Sequence, residues 1–321
     1  MRGDILKKPA HIVCALLACA TPIFVNAAQA AEDTEAPERS EALRELEDTA
    51  TQGDVEAMRK LGYAYAAGRG VTRDAILART WLEKAAAKGD AEAVVGLGYI
   101  YENGSGVPQD YDKARALYEQ AIELGNAAAM VGLGVLYEHG RGLPQDYLRA
   151  SELYERASNL GLGRGMTNLG ILFVRGLGVK KDLDRARQLF DSGAAKGDEV
   201  AMRNLGALYA EGVGVAKDAT KAREYFEEAG VRGDTVSIAA LGSLYANGEG
   251  GPRDYEKARL CWEAAAAQGS TEAVVDLGTL YARGLGVKAD LAKARQLYEQ
   301  AGAQGYVGAG ELIAALNTAG H

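Results

Sequence analysis

Eight glycines stand at a constant spacing in this chain: Gly53, Gly89, Gly125, Gly161, Gly197, Gly233, Gly269 and Gly305, each 36 residues after the last with no insertion between them. A period of that length marks an array in which one small unit is stacked on copies of itself. Seven full units follow, at 53–88, 89–124, 125–160, 161–196, 197–232, 233–268 and 269–304. Within each, Leu-Gly, an aromatic, Gly-x-Gly and Asp recur in fixed register. The second unit reads Leu97-Gly98, Tyr101, Gly104, Gly106, Val107, Asp110, and the seventh Leu277-Gly278, Tyr281, Gly284, Gly286, Val287, Asp290. The period also explains an odd composition, 41 glycines against 6 prolines in 321 residues. No every-third-residue spacing points to collagen, and 48% hydrophobic residues exclude a wholly disordered chain. The net charge of −8 comes from 36 basic and 44 acidic residues spread along the chain. No basic stripe is available to neutralise phosphates, so nucleic acid is not an expected partner.

Each unit parses as two helices. Asp54, Asp90, Asn126, Asp198, Asp234 and Ser270 follow the opening glycine, where a side-chain oxygen caps a first helix of about 13 residues. The Gly-x-Gly pair ends that helix, because glycine reaches the left-handed conformation that other residues resist. Asp74, Asp110, Asp146, Asp182, Asp218, Asp254 and Asp290 then open the second helix. Its inner face carries Ala78, Ala114, Ala150, Ala186, Ala222, Ala258 and Ala294, with Leu82, Tyr118, Tyr154, Phe190, Phe226, Trp262 and Tyr298 one turn later.

One column needs a compensating cause. Gly62, Gly98, Gly134, Gly170, Gly206, Gly242 and Gly278 lie inside the first helices, each costing ~1 kcal/mol relative to alanine. The sum approaches the net stability of a whole domain, about 5 to 15 kcal/mol. Close approach of the two helix backbones, with Tyr65, Tyr101 or Tyr137 packing across the gap, is the expected gain.

The ends fit an array with half-unit caps. Residues 41–52 read as a capping helix with Ala42 and Leu46 on its inner columns, and 305–321 as a C-terminal half-repeat. Unit four departs from the pattern: Leu162 replaces the polar cap, Gly161, Gly163 and Gly165 cluster, and Phe173 and Gly193 stand in for tyrosine and alanine. It is either a hinge or a drifted copy.

Residues 1–30 read as a secretory signal peptide. Arg2, Lys7 and Lys8 precede an apolar run from Ile12 to Val25, and Ala28-Gln29-Ala30 suits cleavage before Ala31. That run is too short for a membrane span of roughly 20 residues. A lipid anchor at Cys19 is the competing reading. Cleavage removes three basic residues and Asp4, taking the charge from −8 to −10, and leaves Cys261 without a partner cysteine. Residues 31–40 read as a flexible leader, and the exported chain is expected to be a periplasmic or secreted monomer.

The Leu-Gly, Tyr, Gly-x-Gly-Val, Asp, Ala-Arg pattern resembles the Sel-one-like repeat, a branch of the tetratricopeptide-like helical repeats. The resemblance implies an all-α fold, a right-handed superhelical α-solenoid of antiparallel helix pairs, and a role as a protein-interaction scaffold. Bacterial members with such repeats are often exported and serve envelope signalling, assembly or host contact.

Chemistry leaves little trace. His139 is the one histidine between the signal peptide and the terminal His321, and a single histidine makes no metal site. Cys261 lies in a column held elsewhere by Trp81, Leu117, Leu153, Leu189 and Leu297, so it reads as core. The glycine turns lack the Lys-Ser or Lys-Thr of a phosphate loop, and no Ser-x-x-Lys motif supports a β-lactamase-like hydrolase. Arg79, Arg115, Arg187, Arg223, Arg259 and Arg295 recur at one position and suggest outer-face salt bridges. No catalytic residue, cofactor or metal is therefore expected.

If the first helices line a concave surface, as the resemblance implies, their variable positions face a partner. Val95, Tyr99, Glu102, Val131, Val135, His139, Ile171, Val174 and Arg175 then form an apolar strip with polar neighbours in units two to four, unless curvature buries part of it. The expected function is a non-enzymatic periplasmic adaptor that holds a protein or peptide there. The alternatives are a secreted factor binding a host or surface protein, and a hydrolase of envelope material.

Overall fold

The computed structural model describes residues 41–319, and among these every regular element is an α-helix. The signal peptide, the leader, His11, Cys14, Cys19 and His321 lie outside the described residues. The described residues form two compact units, 41–196 and 197–319. In the first, the capping helix α1 (Glu41–Thr51) precedes four helix pairs: α2 (Val55–Ala67) with α3 (Ala75–Ala87), α4 (Ala91–Asn103) with α5 (Tyr111–Glu123), α6 (Ala127–His139) with α7 (Tyr147–Asn159), and α8 (Gly163–Arg175) with α9 (Leu183–Ala195). The second contains α10 (Glu199–Glu211) with α11 (Ala219–Val231), α12 (Thr235–Asn247) with α13 (Tyr255–Ala267), α14 (Thr271–Arg283) with α15 (Leu291–Ala303), and a closing helix α16 (Ala309–Ala319). Helices of a pair pack on each other, and the second helix of each pair packs on the next first helix within its unit. The fold is thus an all-α solenoid.

Local chemistry sets the helix bounds. The carboxylate of Asp54 accepts from the Ala57 amide at 2.7 Å, that of Asp90 from Ala93 at 2.7 Å and that of Asp198 from Ala201 at 2.9 Å. At the second helices Asp110 caps Lys113 and Asp146 caps Arg149 in the same way. Gly68, Gly104, Gly140, Gly176, Gly212, Gly248 and Gly284 end the first helices with φ between 64° and 72°, the left-handed region that favours glycine. The turn is then tied shut: the backbone N–H of each second-helix capping aspartate donates to the carbonyl of the first-helix aromatic, from Asp74 to Tyr65 through Asp290 to Tyr281, at 2.8–3.1 Å.

The first-helix aromatics serve a different purpose from the expected one. Lys113 lies 3.9 Å from the Tyr101 ring centre, Arg185 4.9 Å from Phe173, Lys221 5.0 Å from Tyr209 and Lys293 4.0 Å from Tyr281. Each is a cation of the second helix placed over a ring of the first, a contact worth about 0.5–1 kcal/mol where exposed and more where desolvated. The glycine after leucine instead makes room for the second-helix ring. A Cβ on Gly98 would stand 2.6 Å from Tyr118 Cε1, one on Gly134 2.5 Å from Tyr154 Cε1, one on Gly206 2.7 Å from Phe226 Cε1 and one on Gly278 2.5 Å from Tyr298 Cε1. The same Tyr118 ring presses on the next pair, where a Cβ on Gly132 would lie 2.7 Å from Cζ. The compensation is therefore a buried second-helix ring seated on the glycine of its own repeat, and Tyr118 reaches a glycine of the next repeat as well.

Other expectations shift. In α1 the buried residues are Leu43 and Ala50, whereas Ala42 is exposed and Leu46 half-buried, because the helix turns its 43–50 stripe toward the first pair. Leu162 caps α8 without a side-chain hydrogen bond, as its chemistry requires. Gly165 has a packing cause, since a Cβ there would come 2.7 Å from Ala157 Cβ on α7. The arginine column is salt-bridged at Arg79, Arg115, Arg187 and Arg259, which pair with Glu83, Asp112, Asp191 and Glu263. Arg223 instead donates to the Leu244 carbonyl and lies over Tyr245, and Arg295 donates to Asn317.

Gly98→Ala gains about 1 kcal/mol of helix propensity but forces a methyl against a ring, which costs about 1–3 kcal/mol. A net loss of stability is expected by urea unfolding. In a Tyr118→Leu background the same substitution is expected to be neutral or stabilising; an equal loss in both backgrounds would detach the glycine from the ring.

Candidate functional site

The first-helix face of units two to four was expected to be an open apolar strip. Val95, Val131, Ile171 and Val174 are instead buried, at 4%, 3%, 1% and 6% exposure. Tyr99 and Val135 are half-buried, and His139 and Arg175 are exposed. Successive first helices touch one another (α4 on α6, α6 on α8), which takes this face out of water. What stays accessible is a row of Tyr99, Val135, His139 and Arg175 along the helices' later turns. His139 Nδ1 lies 3.0 Å from the Val135 carbonyl, a local contact that holds the ring back along its own helix.

Glu102 is also buried, at 6% exposure. One carboxylate oxygen accepts from Tyr118 Oη at 2.8 Å and the other from Arg141 Nη1 at 2.8 Å, across to the next repeat's turn. Burial first, then the Glu102 charge, pushes the Tyr118 hydroxyl well above its ordinary pKa, so it stays a donor. Glu138 repeats the arrangement: Tyr154 Oη donates to it at 2.8 Å, and Arg175 Nη1 lies 4.0 Å from its other oxygen. In unit four the pair becomes Val174 and Phe190, in unit five Ala210 and Phe226, all buried. In units two and three a carboxylate at this position thus accompanies the phenol, and it is absent beside Phe190 and Phe226; in unit seven, where Ala282 takes its place, the Tyr298 hydroxyl pairs with Thr279 at 3.1 Å. Glu102 serves packing rather than the partner-facing role expected of it.

A second link joins repeats within each unit. Arg59 pairs through Nε with Asp90 at 3.2 Å, and its Nη1 reaches Glu92. Arg203 Nη1 donates to Asp234 at 2.7 Å with both side chains nearly buried. Each arginine thereby holds the capping aspartate of the following first helix, while that aspartate caps the helix. The signal for the first link was the substitution pattern between units two and five: Glu gives way to Val or Ala as Tyr gives way to Phe.

Chemistry elsewhere is sparse. Among the described residues no group of three or more His, Cys, Asp or Glu side chains could hold a metal ion, and no helix is long and apolar enough to cross a membrane. Cys261 is half-buried, and burial raises its thiol above the ordinary value, which lowers its thiolate fraction. Asp276, in the position held by Gly132 in unit three, has its carboxyl pushed up to about 7 by burial and then by the Glu272 charge.

Known proteins place these features. Residues 55–90, 91–126, 127–162, 163–198, 200–234, 235–270 and 271–306 each match the family model of the Sel1 repeat. The crystal structure of a protective antigen of uropathogenic Escherichia coli strains, displaying an SLR fold, is similar at 30% identity and a TM-score of 0.61. The match covers 85% of this chain, which spans 58% of the antigen's length. A Sel1 repeat protein from Oxalobacter formigenes is similar at 28% identity and a TM-score of 0.62, over 90% of this chain and 83% of that one. An immunity protein from Pseudomonas aeruginosa shares the fold at 20% identity and a TM-score of 0.52, over 66% of this chain and 81% of its own. No curated protein gives a significant match.

Two outcomes are expected. Glu102→Ala leaves the Tyr118 hydroxyl and the Arg141 fork without their acceptor and is expected to cost about 1–3 kcal/mol in urea unfolding. Glu102→Val with Tyr118→Phe, the pairing unit four already uses, is expected to recover at least half of that loss; no recovery would mean the phenol is not the reason for the carboxylate. The native Asp276 carboxyl holds its proton to higher pH than the unfolded one, near 3.8, so its contribution falls as pH rises from about 4 to 7. Asp276→Asn is expected to raise the melting temperature relative to wild type at pH 8, with the gain shrinking toward pH 4.

Proposed function

The chain belongs to the Sel1 repeat family, a family of helical repeat scaffolds for protein interaction, and on that basis we propose that it is an exported, non-enzymatic adaptor of the bacterial envelope. It holds a protein or peptide partner on the later turns of its first helices in units two to four. The observation that supports this reading is a division of labour within the repeat. The leucine, glycine, alanine and ring columns are consumed in packing, whereas the position after the Leu-Gly glycine runs Tyr63, Tyr99, Val135, Ile171, Ala207, Ser243 and Thr279; Ile171 and Ala207 are buried, while Tyr99 and Val135 stay partly accessible. The last turn is equally varied, with Asn103, His139 and Arg175 exposed in these three units. Packing needs no such variety, whereas a binding surface does. Location in the periplasm rests on the character of residues 1–30.

Fractionation of the producing cell, combined with crosslinked capture by the tagged chain, tests both parts. The protein is expected in the envelope fraction, and a variant carrying Tyr99→Ala, His139→Ala and Arg175→Glu is expected to lose its partner while keeping its helical signal. Capture untouched by these changes would remove this face from the reading. Recovery from culture fluid would favour a secreted factor instead.

A further inference from the structure

The first two repeats line a partly open cavity of about 260 Å³ within the unit of residues 41–196. Its wall includes Ala66, Leu82, Gly96, Tyr99, Arg73 and Ser105. One repeat later, the residues at the places of Ala66, Leu82 and Ser105 are Glu102, Tyr118 and Arg141. Those three fill the corresponding space with a phenol, its acceptor and a guanidinium. The cavity is therefore the slot of that trio with all three side chains cut short.

The slot keeps the features that admit a ring. Leu82 lies between Gly62 and Gly96 as Tyr118 lies between Gly98 and Gly132: a Cβ on Gly62 would meet Leu82 Cγ at 2.8 Å, and one on Gly96 would meet Tyr63 Cε1 at 2.9 Å and Leu82 Cδ1 at 3.1 Å, with the Tyr63 ring forming part of the cavity wall. Tyr118 is the one later ring with a glycine in both walls, the place of Gly132 being held further on by Asn168, Asn204, Ala240 and Asp276, and leucine is shorter than the tyrosine it replaces. An enclosed apolar space of about 150 Å³ already admits benzene. Here Ala66, Leu82 and Ile100 give the apolar end, while Ser105, Tyr99 and the exposed Arg73 guanidinium give the polar one. That polarity, apolar within and hydrogen-bonding at the edge, is that of a phenol.

We propose that the slot beside Leu82, between the first and second repeats, binds one aromatic ring, a tyrosine side chain of the partner, in the space that the trio of Glu102, Tyr118 and Arg141 fills one repeat on. The source of the ring rests on the scaffold reading; the ring-binding slot does not.

The probe is p-cresol, added to the exported chain with carbon-13-labelled leucine methyls. The Leu82 methyl resonances are expected to move upfield through the ring current and to saturate, with a rise in melting temperature. Leu82→Tyr, which carries its own ring into the slot, is expected to abolish the cresol response. No movement of Leu82 in the wild-type chain overturns the slot without any variant, and a response retained in folded Leu82→Tyr overturns it as well. Crosslinked capture then separates the two readings. A partner lost with Leu82→Tyr supports the assignment of the ring to that partner. A partner still captured by Leu82→Tyr overturns that assignment and leaves the scaffold standing, whereas no capture by the wild type counts against the scaffold alone.

Discussion

A second-helix ring seated on the Leu-Gly glycine of its own repeat is the contact on which the array depends. Tyr118 shows it in full, closing on Gly98 and Gly132. Helix propensity opposes each of these glycines by ~1 kcal/mol, and burial of an aromatic side chain offsets that loss, with a large buried area per residue. The exchange has a structural consequence. A ring that touches two repeats couples them, whereas a ring packed only within its pair stabilises that pair alone. The capping aspartates and the left-handed glycines fix where each helix begins and ends, but the ring fixes how one pair sits on the next.

Polar chemistry in the core follows from the choice of ring. A buried phenol must find an acceptor, and Glu102 and Glu138 supply it from the first helix. A buried carboxylate in turn requires a cation, and Arg141 reaches back from the following repeat to Glu102. One hydroxyl thus entrains two further residues and adds a second tie between neighbours. Where the ring is Phe190 or Phe226, the first-helix position holds Val174 or Ala210 and the tie is absent. The first repeat has neither the ring nor the tie, which leaves a space that a guest can enter.

The helix bounds, caps and period were legible in the sequence because each is a local matter: a side-chain oxygen three residues from an amide, a glycine at a positive φ. Partners across a helix interface were not. The Leu-Gly glycine was visible as a cost, but the ring it admits came from the second helix rather than from Tyr65, Tyr101 or Tyr137. The apolar run of Val95, Val131 and Ile171 read as a surface because a single unit's pattern does not show that first helices touch each other from repeat to repeat. Glu102 read as a polar neighbour for a partner, although the exchange of Glu-Tyr for Val-Phe between units already carried its role. The arginine column was legible in part, since a helical neighbour four residues on is fixed by geometry, while the turn to Leu244 at Arg223 depends on the next pair.

Native-state hydrogen exchange on the Tyr118→Ala chain tests the ring's coupling role most directly. If the ring joins the second and third repeats, amide protection is expected to fall in α4 and α5 and also in α6, while α8 and α9 keep theirs. Loss confined to α4 and α5, with α6 unchanged, would contradict the claim that the ring joins its own pair to the next.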